Sequence, residues 1–131
     1  MSWFVRNFKW VMLVSGLLTL TMVQAAFAPQ AALRSTFGDS LEGPLAEIVV
    51  RNWGALIALI GAMLIYGAFR PQVRSLVLAV AGASKVVFIS LILTYGTQYL
   101  GKVGIAVVVD SLMIVLFIAY LLISRRDESA A

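Results

Sequence analysis

The chain has no cysteine and no histidine. Without cysteine there is no disulfide, no thiolate metal site and no thiol nucleophile. Without histidine the commonest metal ligand and the usual general base are gone. Charge is scarce too: 12% of the 131 residues are Asp, Glu, Lys or Arg, where a soluble domain carries roughly 25%. Three prolines are the only strong helix breakers. What remains is 62% hydrophobic, with a mean hydropathy of +1.00. That leaves too little polar surface to coat a water-soluble globule, so the chain belongs in a lipid bilayer. The length suits one domain. The net charge of +4 is explained by where the basic residues lie and does not call for nucleic acid.

A membrane helix needs about 20 mostly apolar residues. Four segments qualify, at about 10–28, 45–69, 75–98 and 103–124. Pro29 ends the first, Gly43-Pro44 opens the second and Arg70-Pro71 closes it. The residue before a proline disfavours the α region, and proline itself suits a first helical position. The expected fold is an all-α, antiparallel, transmembrane four-helix bundle. A polar loop at 29–44 contains Phe37 and Leu41 and suits a short amphipathic helix; 125–131 reads as a tail. No internal repeat is evident.

Arg6 and Lys9, an apolar run and Ala26-Phe27-Ala28 resemble a cleaved leader. Pro29 would directly follow the cut and the run is long for a leader, so the first span is expected to stay uncleaved. Basic residues near span ends set orientation. With the N-terminus inside, Arg6, Lys9, Arg70, Arg74, Arg125 and Arg126 are cytoplasmic, and only Arg34 and Lys102 are outside. Both termini are therefore expected in the cytoplasm of a multi-pass protein. Trp3, Phe4, Phe8 and Trp10 around Arg6 and Lys9 read as an interfacial anchor, and Tyr66, Tyr95, Tyr99 and Tyr120 as aromatic belts at span ends. Ser15, Thr19 and Thr21 suit hydrogen bonds between helices.

Glu47, Arg51, Lys85 and Asp110 lie within or at the edge of the spans, with Asn52 as an uncharged neighbour. A charge at the bilayer centre costs roughly 2.5–3.5 kcal/mol or more, so such residues face a bundle interior and pair. Arg51 lies six residues into its span and Asp110 seven into its own, placing both roughly 9–10 Å deep at 1.5 Å per residue. Lys85 lies roughly 20 Å deep by the same rise and reaches upward on a four-carbon stem. Glu47 precedes Arg51 by one turn, the favourable order for a helical ion pair. The expectation is a neutral ladder, Glu47, Arg51, Asp110, Lys85, with Ala55, Ala58 and Ala62 as a packing seam on the arginine's face.

The ladder leaves three readings open. It lines a pocket for the polar head of an amphiphile or quinone-like molecule, roofed by the Phe37 loop. Alternatively it serves a proton- or ion-coupled carrier through Asp110, or it fixes a structural subunit of a larger complex or homo-oligomer. Catalysis has little support, because no third group of familiar spacing orients the lysine or the aspartate. No metal site and no obligatory cofactor is implied, beyond a bound lipid or quinone.

Small multidrug transporters carry a glutamate in their first span; WVMLVSGLLTLTMVQAAFA has none. The whole chain resembles the small bacterial four-helix membrane proteins of the DoxX-like type. The residues that carry the resemblance are Pro29, the polar segment to Pro44, and the Arg51-Asn52-Trp53-Gly54-Ala55-Leu56-Ile57-Ala58-Leu59-Ile60-Gly61-Ala62 opening of the second span. The resemblance implies the bacterial inner membrane and a role connected with quinones or with assembly. Lys85 and Asp110 are not part of that pattern.

Overall fold

A computed structural model describes residues 3–130, with side chains described to Ser124. Among the described residues the secondary structure is entirely helical. The helices are α1 (Trp3–Leu20), α2 (Gln24–Phe27), α3 (Pro29–Phe37), α4 (Pro44–Phe69), α5 (Pro71–Tyr95) and α6 (Leu100–Ala130). A 3₁₀ turn, Thr21–Val23, joins α1 to α2, and another, Thr97–Tyr99, leads into α6. Four apolar helical segments are long enough to cross a membrane: Trp3–Phe27, Pro44–Phe69, Pro71–Tyr95 and Thr97–Ser124. Each has at least 25 residues, about 37 Å at 1.5 Å per residue, against a hydrocarbon core of about 30 Å.

The breaks follow from local chemistry. All three prolines sit at the first helical positions, of α3, α4 and α5, where their missing N–H leaves no bond unmade. Ala28 and Arg70, each before a proline, leave the helical region at φ −136° and −130°. Gly38 ends α3 at φ 78°, a left-handed conformation in which a Cβ would clash. Several boundaries differ from the sequence expectation: the third span runs Pro71–Tyr95, not 75–98, and the fourth starts at Thr97, not at 103. The first span begins at Trp3, well before residue 10, because Arg6 and Lys9 sit on exposed faces of an otherwise apolar helix. The tail expected at 125–131 continues α6 through Ala130; the side chains of Arg125 and Arg126 lie outside the described residues.

Helices α1 and α4 make the most extensive packing, with α5 set against both α4 and α6. The α1–α4 seam is Gly16 against Gly61, with Gly54 beneath the 3₁₀ turn. A Cβ on Gly61 would lie 2.6 Å from the Leu20 amide nitrogen and 2.8 Å from the Gly16 carbonyl oxygen. Close backbone approach through small residues is how membrane helices associate, since lipid removes the hydrophobic drive between them. The buried face of α4 is thus Val50, Gly54, Ala58, Gly61 and Leu64. Of the expected seam only Ala58 belongs to it; Ala62 is exposed.

Toward the α4–α5 turn the core closes around Phe8, Met12, Leu64, Leu78 and Phe117. Phe8 stacks on Tyr120 at 4.4 Å between centroids. Both were expected as interfacial aromatics; both are buried in the bundle core, where Tyr120 has Arg74 as a partner. Trp3 and Trp10 remain exposed, and Lys9 lies over the Trp10 ring at 5.2 Å. At the opposite end α3 lies across the bundle with Ala32 and Leu33 buried. Phe37, its last residue, contacts Trp53 of α4, Phe88 of α5 and Tyr99.

Candidate functional site

Lys85 is placed inward by the stripe it shares with Val77, Leu78, Ala81 and Ile92 on α5. On α6, Val103, Met113 and Phe117 set the inward face, with Asp110 at its margin. Lys85 Nζ donates to Asp110 Oδ1 at 2.9 Å, and the two side chains are 10% and 20% exposed. This contact uses one of the ammonium group's three protons and one of the carboxylate's two oxygens. Among the described residues neither group has another hydrogen-bond partner.

Both members of the pair line a partly open cavity of about 460 Å³ beneath α3. Its walls are largely apolar, with Ile57 and Ile60 from α4, Phe88 from α5, and Ile105 and Val109 from α6. Toward α3 the lining turns polar, with Thr21, Ser35, Thr36 and Lys102. Thr19 donates to the Ser15 carbonyl at 2.7 Å, Thr21 to that of Leu18 at 2.5 Å and Ser35 to that of Ala32 at 3.1 Å. These three hydroxyls therefore present only lone pairs to the cavity. The threonines were expected to bond between helices; they bond back to carbonyls of α1 because a carbonyl one turn back is within reach of a helical hydroxyl.

The upper half of the expected ladder does not form. Arg51 and Glu47 are exposed, and among the described residues the one ion pair is Lys85–Asp110. Arg51 donates instead to the Ala26 carbonyl at 2.6 Å. That carbonyl stands at the end of the first span, where Ala28 and Pro29 interrupt the helix and leave late carbonyls without intrahelical donors. The glycine seam decided the outcome: with Gly61 turned to α1 and Gly54 to the 3₁₀ turn and α2, Arg51 falls at the side of the interface, next to that broken end. Asn52 is exposed and makes no hydrogen bond among the described residues. Neither Glu47, Arg51 nor Asn52 lines the cavity.

One buried charge escaped the sequence reading. Arg74 is 7% exposed. Its Nε donates to the Gly67 carbonyl at 3.1 Å, and its terminal nitrogens reach the Ala68 carbonyl at 2.7 Å and the Tyr120 hydroxyl at 3.5 Å. Its guanidinium also lies over the Tyr120 ring at 5.8 Å. It satisfies the last carbonyls of α4 at the negative end of that helix dipole. The signal was the one-residue connection through Arg70, which brings the first turn of α5 beside the last turn of α4.

Residues 7–91 match a family model described as a domain of unknown function, DUF4345. The matched range takes in α1 to most of α5, including Lys85, and stops short of α6 and Asp110. No curated protein and no solved structure matches the chain.

Proposed function

This chain belongs to the DUF4345 family, whose function is unknown, and from that premise we propose that it is a small membrane protein that binds an amphiphile, its polar head on Lys85 and Asp110. The carrying observation is the ion pair's unspent hydrogen-bonding capacity, turned to a cavity of about 460 Å³ with apolar walls. Small-molecule sites have this character: mostly apolar, roughly 300–1,000 Å³, with few convergent polar groups. The packed cluster of Leu64, Leu78, Ala81, Met113 and Phe117 beyond the pair favours a dead-end pocket over a path through the bundle. For this reason the carrier reading through Asp110 stands second. In the proposed setting the α3 end faces outward from a bacterial inner membrane and both termini are cytoplasmic, which the distribution of basic residues supports.

Extraction of the purified protein, with its bound lipids read by mass spectrometry, tests the reading. The wild type is expected to retain a specific amphiphile that a Lys85→Met, Asp110→Asn double variant loses. Retention of the same molecule by a folded double variant would sink the proposal.

A further inference from the structure

The ion pair and its surroundings also restrict what kind of head the pocket accepts. Building on the pocket reading above, we propose that the ligand is an amphiphile with an uncharged hydroxyl head, and that the pocket discriminates against charged heads.

Lys85 and Asp110 together are neutral, and both are largely buried. An anionic head would compete with Asp110 for the ammonium and leave a net negative charge among apolar walls. A cationic head would compete with Lys85 for the carboxylate. Either leaves a buried charge uncompensated, which is far more costly than a satisfied neutral contact.

Two Lys85 protons and Asp110 Oδ2 bond no other group among the described residues. An accepting head, such as a ketone or ester, answers the lysine and leaves the carboxylate oxygen unmet. A hydroxyl answers both, accepting from Lys85 and donating to Asp110. The Thr19, Thr21 and Ser35 hydroxyls have committed their protons elsewhere and offer acceptors to a donating head, while Thr36 and Ser84, which also line the cavity and make no hydrogen bond among the described residues, can give or take a bond as a hydroxyl head requires. Lys102 is the cation that competes with this reading. It is exposed at the rim, eight residues before Asp110 on α6, about 12 Å away along the helix at 1.5 Å per residue. A head held there would leave the ion pair to the chain.

Trp53 lines the cavity, while Trp3 and Trp10 lie on α1 and do not. A Trp3→Phe, Trp10→Phe background therefore leaves one fluorescent reporter in the pocket. In phosphatidylcholine vesicles, its quenching is titrated with three probes carrying a nitroxide on the chain: a long-chain alcohol, an alkyl sulfate and an alkyltrimethylammonium. Saturable quenching by the alcohol is expected, displaced by the unlabelled alcohol and at least about tenfold tighter than by either charged probe, the order that an uncompensated buried charge imposes. Asp110→Asn should move the preference to the sulfate, and Lys85→Met to the ammonium, so either folded variant suffices beside the wild-type order. A charged probe that matches the alcohol in the wild type overturns the proposal while leaving a pocket. So does a sulfate whose binding depends on Lys102 and ignores Asp110→Asn. If no probe quenches saturably, the pocket reading fails and this inference with it.

Discussion

At the residue scale, the buried charges divide by what neutralises them. Lys85 has a carboxylate; Arg74 has two backbone carbonyls, a phenol and an aromatic face. Arg74→Met would leave the Ala68 carbonyl without its side-chain donor and the Gly67 carbonyl with only the 3.3 Å bond from the Arg70 amide. The expected cost is about 2–3 kcal/mol, the order for stranding buried acceptors of a charged hydrogen bond, read as a lower midpoint in thermal unfolding of the detergent-solubilised protein. A midpoint equal to that of wild type would mean that water reaches those carbonyls. The contrast also shows what single residues disclose. Lys85 and Asp110 were legible because each interrupts an apolar run, and a charge in lipid must find a partner. Arg74 sat beside Arg70 at a span end, where cations are ordinary, and nothing local distinguished the one that turns inward. Arg51 was misplaced for a related reason: depth limits how far a charge can reach, while azimuth decides what it meets.

At the element scale, the seam between α1 and α4 is the most extensive helix packing in the described residues, and glycine lets it close. Gly61→Val is expected to force α1 away from α4 and destabilise the protein by about 1–3 kcal/mol, the usual range for overpacking. Gly101→Ala, where nothing lies within 4 Å of the added methyl, should change stability little. Comparing the two by thermal unfolding separates crowding from the general effect of losing a glycine; equal midpoints would remove the seam from the account. Helix existence and approximate ends were written in the apolar runs and in Pro29, Pro44 and Pro71. Rotation was less legible, because apolar residues surround every span and provide no polar face to orient it. Ala55, Ala58 and Ala62 also count as small residues beside Gly54 and Gly61, and the backbone distances show that the closest approach needs the missing Cβ of glycine. The short helix α3 could be anticipated from its amphipathic loop, whereas the convergence of Trp53, Phe88 and Tyr99 on Phe37 joins residues far apart in the chain.

At the scale of the whole molecule, the absence of cysteine allows a clean test of orientation. Single cysteines at Ser40, beside α3, and at Gln72, at the α4–α5 turn, would be the only thiols in the protein. In intact cells a membrane-impermeant maleimide is expected to label the variant at position 40, and to label position 72 only after permeabilisation. The reverse pattern would overturn the proposed topology. An energised membrane adds a last consequence of the Lys85–Asp110 pair. A voltage across the bilayer does work on net charge, about 2.3 kcal/mol per elementary charge for each 100 mV. The pair carries none, so the field can tilt it but cannot drive it toward either face. If an uncharged head exchanges with it, the pocket fills and empties without moving charge across the bilayer. Occupancy would then follow the amount of amphiphile in the membrane and stay indifferent to whether the cell is energised.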